Sequence, residues 1–428
     1  MSSPLAVGLD FGTTNSVVAV SDGAGQARLL TLDPTADSAV FRSALCFWQD
    51  EDAHGGLNVE AGPDAIHEYL DFPDGSRFLQ SFKSVAASAS FDTAPVFAKR
   101  FRFEELGQIF LDRLAHRADG VLDRPHRLVV GRPVRYAGAR PDPAVARQRY
   151  DAMFAGRAGE VHYVYEPLAA AFSYAAEATE PATLLVADFG GGTSDFSVVR
   201  VERPGAHQRC VPLGHAGVGI AGDRFDYRIV DRLVLPMLGK GGSYRSFDKV
   251  LEIPGGYFAD FGDWSKLALM RNRRTLAELE RLQRSAVDPD AIGRMIALIE
   301  HELGFQLYDA VARLKRTLSS REEAEFRFAG GGLDIATAVS REAFETWIAE
   351  DVARMAAAVD EALVDAGVST GAIDRVFLTG GTSLVPAVRR LFEERFGAER
   401  IVSGGELTSI AHGLALIAQA DDISGWTA

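Results

Sequence analysis

Two short stretches of this chain place a carboxylate, an aromatic ring, glycine and threonine in the same order: Asp10-Phe11-Gly12-Thr13-Thr14 and Asp188-Phe189-Gly190-Gly191-Gly192-Thr193. A hairpin turn of small residues exposes consecutive backbone N–H groups with no side chain in the way. Such donors suit phosphate oxygens, and a hydrogen bond to a charged group contributes ~1.5–3 kcal/mol. Thr13 and Thr14 add hydroxyl donors, and Asn15 completes the first turn. Asp10 and Asp188 would repel a phosphate directly. They make sense around a hydrated Mg²⁺, which keeps its waters and needs few carboxylates. Two such loops facing each other would clamp a polyphosphate, with both aspartates on one metal ion. A lone Asp-Phe-Gly-Thr is as readily a plain β-turn; the recurrence argues for a duplicated site, one copy per lobe.

Other candidates are weaker alone. Glu166, before Pro167 at a strand-to-helix junction, could orient an attacking water or simply complement the helix dipole. Gly380-Gly381-Thr382 follows a strand and precedes a helix, a turn that lets a ring or ribose approach the backbone closely. Lys315 and Ser319 share a helix face with Arg316 beside them; they could border a base or form a solvated basic face. Lys83, in Phe82-Lys83-Ser84, reads as a surface cation that could reach a transferring phosphate. The histidines show no metal-ligand spacing.

These residues need a scaffold, and apolar Val/Leu runs alternating with helical periods point to an α/β fold. Leu5–Leu9, Val17–Val20 and Arg28–Leu32 read as a meander around the first turn; Thr183–Ala187 and Phe196–Val201 repeat the pattern around the second. Helices are expected over Glu104–Asp119 and Pro167–Glu177, a strand over Arg127–Gly131, and another over Arg375–Thr379 leading to a helix ending at Phe396. Gly404–Ala420 should hold the last helix. Ser340 is placed to cap a long helix whose stripe Phe344, Trp347, Ile348, Met355, Val359 and Leu363 reads as core, with Gly367 ending it. The expected organisation is lobe I over 1–180 with an insertion at 37–105, a hinge at Glu180-Pro181, and lobe II over 181–428 with an insertion at 220–340. That second insertion should open with glycine turns and be helical from Asp263 to Ser320.

The bulk numbers narrow the function. At 428 residues the chain is long enough for two lobes, and 47% hydrophobic with 24% charged residues excludes disorder. A net charge of −14 argues against nucleic-acid binding and requires any phosphate site to supply its own local positive potential. No apolar run reaches ~18 residues, so no membrane span is expected. Met1–Pro4 does not open a signal peptide, and Cys46 and Cys210 read as buried thiols in a reducing, cytoplasmic compartment.

Taken together, the motifs resemble the nucleotide-binding domain of heat shock protein 70 (DnaK-type) chaperones. The resemblance runs through five blocks in order: Gly8–Ser16, Tyr165–Ala171, Asp188–Asp195, Leu378–Pro386 and Ser409–Leu416. It implies the actin-like ATPase fold, a duplicated ribonuclease H-like two-lobed architecture with an insertion subdomain in each lobe. ATP/ADP and Mg²⁺ are the implied ligands. Lys83 aligns with the family's catalytic lysine and Glu166 with its water-positioning glutamate. Thr193 matches the threonine beside the γ-phosphate, and Gly222-Asp223 resembles a turn that contacts the nucleotide. Lys315-Arg316-Thr317-Leu318-Ser319 matches the adenine-side helix. Ala312 and Leu384 stand where the family carries Glu and Arg, which predicts a weaker hold on adenosine. The chain stops where the family's linker and peptide-binding domain would begin, as in the short bacterial YegD-type DnaK-like proteins.

The expectation is a slow, Mg²⁺-dependent ATPase, since no arginine finger is evident, acting as a monomeric chaperone-like protein with a client or co-chaperone partner. Two alternatives share the phosphate loops: an actin- or MreB-like filament ATPase and a small-molecule kinase. The former normally lacks the Lys-Arg-Thr-Leu-Ser helix. The latter needs an aspartate base, for which the only candidates are the two metal-side aspartates.

Overall fold

A computed structural model describes residues 6–420 apart from 22–25, 50–55, 73–74, 139, 204–208, 263–266, 268–269, 403–404 and 406, together with Ile423. Asp263 and Gly404, the starts of two expected helical regions, lie outside the described residues.

The first strand, Ala6–Phe11, runs out through the Gly12 turn and returns as Asn15–Ser21, followed by Ala27–Leu29. On its other side it pairs in parallel with Arg127–Arg132, which pairs in parallel with Glu160–Tyr165. The second sheet repeats this order. Ala182–Phe189 is flanked on one side by antiparallel Ser194–Arg203 and Arg209–Val218, and on the other by parallel Arg375–Thr379 and Ile401–Val402. The expected duplication is therefore a duplication of topology. Val17, Val18, Ala19 and Val20 are buried, as are Leu184, Leu185, Val186 and Ala187. Continuous apolar runs of this kind belong to strands covered on both faces.

Two alanine-rich helices, Glu166–Glu177 and Ser409–Ala418, fill the space between the sheets. One core joins Ala6, Val129 and Val164 of the first sheet to Leu184, Val186 and Val199 of the second through Leu168, Leu414 and Ile417. Each fully buried Leu or Ile contributes roughly 1.5–3 kcal/mol. Small residues let the helix backbones touch: a Cβ on Gly413 would overlap the Ala169 carbonyl, and one on Gly8 would overlap the Ala415 backbone. Ser173 Oγ and His412 Nδ1 share a hydrogen bond of 2.9 Å across the pair.

The Ser340 side chain accepts the Ala343 N–H at 3.1 Å, capping helix Arg341–Asp365 as its sequence implied. Phe344, Ile348, Met355, Val359 and Leu363 are buried in the second lobe, and Trp347 packs against them. In the first insertion, Leu57–Ala61, Ala44–Gln49 and Ser76–Gln80 form a three-stranded antiparallel sheet covered by helix Gly62–Asp71. The second holds helices Arg273–Ser285, Pro289–Glu300 and Gly304–Ser320 with two hairpins that the sequence reading did not anticipate. One, Glu323–Gly330 with Leu333–Ser340, had a legible signal: Phe326 and Phe328 alternate with Glu325 and Arg327 before a glycine turn.

The two insertions meet. Tyr69 and Phe78 pack on Phe305 with ring centroids 5.5 and 5.3 Å away, and the Tyr69 hydroxyl donates to the Glu302 carbonyl. Arg77 lies 3.6 Å from the Glu302 carboxylate. No described helix is long and apolar enough to cross a membrane.

Candidate functional site

Asp10 and Asp188 occupy the same position in the two sheets, one residue before the end of the first strand of each copy. The turns that follow meet. A Cβ on Gly191 would lie 2.5 Å from Thr14 Oγ1 and 3.2 Å from both carboxylate oxygens of Asp223. Asp223 N–H donates to the Gly191 carbonyl at 2.8 Å. The first turn is pinned from outside: Ser43 Oγ donates to the Gly12 carbonyl at 2.7 Å and Ser43 N–H to the Thr14 carbonyl at 3.0 Å. The second closes on itself through Gly190 N–H to the Thr193 carbonyl at 2.9 Å.

Lys83 is not the surface residue its local sequence suggested. Ser81, at φ 55°, turns the chain into the short helical segment Phe82–Val85, which buries Lys83. Its Nζ donates to Glu166 Oε1 at 2.8 Å. Behind this segment, Arg149 Nη1 donates to the carbonyls of Val85, Ala86 and Ser88 at 2.8, 2.9 and 3.1 Å, a clamp invisible to motif reading. Glu166 opens its helix, is itself buried, and stands next to Gly131, where a Cβ would lie 3.0 Å from Glu166 Cγ. Burial lowers the Lys83 pKa, but Glu166, Tyr150 and Asp10 around it hold it above the ordinary lysine value.

Four acids converge on that lysine. Burial, reinforced by the Glu166 charge, pushes the Asp10 carboxyl up to about 7. Burial also holds Asp188 well above the usual carboxylate range, with Glu166, Asp10 and Asp195 adding to the rise. Asp195 was missed as a site residue. It sits directly across the hairpin from Asp188, accepts Arg135 N–H and Thr193 Oγ1 at 2.9 Å each, and is raised to about 7, mainly by burial. The visible signal was its place two residues after Thr193; its burial was not visible.

A second group lies beside the second turn. A Cβ on buried Gly222 would be 3.0 Å from Thr382 Oγ1 and 3.3 Å from Lys315 Nζ. Lys315 Nζ donates to the Gly222 carbonyl at 3.2 Å and pairs with Asp226 at 2.8 Å, so it faces inward rather than into solvent. Gly380, at φ 82°, packs so tightly on the Phe189 carbonyl that a Cβ would overlap it, which ties Gly380-Gly381-Thr382 to the second turn. Gly381 and Arg316 are exposed, and Ser319 Oγ bonds back to the Lys315 carbonyl at 3.1 Å. Thr13 is half-buried in its turn; Gly192 faces Ala137, with a Cβ contact of 3.4 Å.

The donor set fits a hydrated Mg²⁺. Asp10 and Asp188 are oxygen-only ligands whose carboxyls are raised by burial and by the Glu166 charge, effects that a divalent cation would relieve. Two carboxylates with room for water and phosphate oxygens are the pattern this ion uses. Gly191 and Gly222 stand where a Cβ would press on Thr14, Asp223, Thr382 and Lys315, so the lack of a side chain is what lets these groups close on one another.

Comparison with known proteins adds a family. The model described as "Hsp70 protein" matches residues 90–242 and 300–423, well over half of the chain. The matched segments hold Glu166, the second turn and the Gly222, Lys315 and Gly380 group, whereas the first turn and Lys83 precede them. The chaperone protein dnaK3 of Thermosynechococcus vestitus is 25% identical over 413 residues, covering 92% of this chain. The chain spans about half of that relative's length, 52%.

Proposed function

The chain belongs to the heat shock protein 70 family and has its actin-like ATPase fold, and from that premise we propose that it binds ATP between its two sheets and hydrolyses it slowly. The observation that carries this reading is the buried Lys83–Glu166 pair, 2.8 Å long, set among Asp10, Asp188 and Asp195 where the two turns meet.

In this reading the turns Gly12-Thr13-Thr14-Asn15 and Gly190-Gly191-Gly192-Thr193 donate to the phosphates from opposite sides. Gly222, Asp223, Lys315, Arg316, Ser319, Gly380, Gly381 and Thr382 border the nucleoside. Asp10 and Asp188 would hold Mg²⁺, which supplies charge neutralisation on the phosphates when bound. Lys83 stabilises charge growing on the transferring phosphoryl group, and its bond to Glu166 fixes the carboxylate that orients the attacking water. Asp195, with a carboxyl raised to about 7, is matched to accept that water's proton near neutral pH. The Thr193 hydroxyl, bonded to Asp195, sits at the edge of the same group. Turnover is slow because the catalytic power comes from this fixed set alone.

Lobe I is assigned to 1–180 with its insertion at 37–105, and lobe II to 181–428 with its insertion at 220–340. Closure of the lobes on ATP would signal to a client or co-chaperone protein. The free thiols Cys46 and Cys210, both buried, fit a cytoplasmic setting. Calorimetric titration of ATP and ADP, with and without Mg²⁺, tests the assignment. Mg²⁺-dependent binding of both is expected, and its absence would remove the proposal. Single-turnover assays on Glu166→Ala, which should bind ATP but not cleave it, then test the mechanism.

A further inference from the structure

The phosphate site needs positive charge in a chain of net charge −14, and its two lysines are already engaged. Lys83 is paired with Glu166 and Lys315 with Asp226. Arg42 is different. It lies on the short strand Val40–Arg42 and is the direct cross-strand partner of Asn15, the last residue of the first phosphate turn. Its Nη1 donates to Asn15 Oδ1 at 3.1 Å, and it forms no ion pair with a carboxylate among the described residues. The next residue, Ser43, supplies the two hydrogen bonds that pin Gly12 and Thr14. The backbone that shapes the turn thus also places the guanidinium beside it. Burial lowers the Arg42 pKa, and of the nearby charges that act on it Asp223 opposes that fall most strongly. Asp223 is the residue that, with Thr14, closes on Gly191. An arginine keeps its charge even when partly buried, and its planar fork matches phosphate oxygens.

We propose that Arg42 is a phosphate-binding residue of the first turn, contacting the polyphosphate of a nucleoside di- or triphosphate from the side opposite the second turn. The inference rests on the nucleotide reading above. It adds a side-chain cation to a turn whose other donors are backbone N–H groups and hydroxyls. Its anchor, Asn15, belongs to the first turn, so the proposed contact is with the phosphates.

Titration calorimetry of ATP, ADP and AMP against wild type, Arg42→Gln and Arg42→Lys tests it. Glutamine keeps a donor for Asn15 without the charge, and lysine keeps the charge without the fork. Loss of a charged hydrogen bond predicts affinity for ATP and ADP weaker by about ten- to a hundredfold in Arg42→Gln. AMP affinity should stay within about twofold, and Arg42→Lys should recover part of the loss. Equal weakening of all three ligands by Arg42→Gln would show a structural prop and overturn the proposal, as would unchanged ATP and ADP affinity. Wild type failing to bind any nucleotide would instead sink the reading it rests on, and this inference with it. Thermal midpoints of both variants close to wild type confirm that folding is intact.

Discussion

The first strand of each sheet ends in Asp-Phe-Gly, but what lies across the hairpin differs. Opposite Asp10 stands Val17; opposite Asp188 stands Asp195. The first lobe then adds cations near its turn, Lys83 from its insertion and Arg42 from the strand beside Asn15. The second lobe adds acids, Asp195, Asp223 and Asp226, together with Lys315. One duplicated scaffold thus carries two unequal sets of charges: on the first side Lys83 and Arg42 stand with Asp10 and Glu166, and on the second, glycine-lined side acids outnumber the cations Lys315 and Arg316. Symmetry of the sheets brings the turns face to face, and in the proposed ATPase reading the asymmetry of the flanking residues would give the reaction a direction. A symmetric pair of acidic turns would repel a triphosphate, and a symmetric pair of cationic ones would hold it without a proton acceptor.

The sharpest way to break this comparison is to remove one member from each side. Lys83→Ala and Asp195→Asn should each lower single-turnover ATP hydrolysis by roughly 10²–10³-fold while leaving ATP affinity nearly unchanged. A loss confined to one of them would end the division of labour between the lobes.

The contact between the turns can be tested next. Gly191→Ala places a methyl 2.5 Å from Thr14 Oγ1, whereas Gly192→Ala meets only Ala137 at 3.4 Å. Overpacking at the first position costs about 1–3 kcal/mol, a loss of roughly five- to 150-fold in ATP affinity, and the second should be close to neutral. Similar affinities for both variants would mean that the turns do not close on each other.

A smaller effect is expected where the insertions meet. Tyr69→Phe removes the hydroxyl that donates to the Glu302 carbonyl and should weaken that contact by about 1 kcal/mol. Faster hydrogen exchange in Gly62–Asp71 without a change elsewhere would report it; uniform exchange would contradict it.

The smallest effect concerns the helix pair between the lobes. Burial lowers the His412 pKa below its ordinary 6.5, so the folded chain takes up its proton later than the unfolded one as pH falls. Unfolded chains then bind more protons below about 6.5, and the stability present at higher pH is lost on acidification. The difference in thermal midpoint between wild type and His412→Gln should shrink as pH drops from about 8 to 5. A constant difference would place His412 outside the pH response.

Much of this was legible in linear order. The alternation of Val/Leu runs with helical periods located the first strand, expected over Leu5–Leu9 and found at Ala6–Phe11, and the strand Arg375–Thr379, and Ser340 marked its helix, because strand burial and helix capping are local properties. The recurrence of Asp-Phe-Gly pointed to two copies. Packing decided what spacing could not. Lys83 reads as surface among Phe82 and Ser84, yet it is buried because Glu166, 83 residues later, meets it and Arg149 clamps the turn that carries it. Asp195 gained its importance from a register that sets it opposite Asp188, and Arg42 from one that sets it opposite Asn15. The residue types at hand, and the two turns to hold them, were determined by the sequence itself. Which charges face one another was decided only by the tertiary structure, since electrostatic coupling depends on distance and burial, and neither is a property of position along the chain.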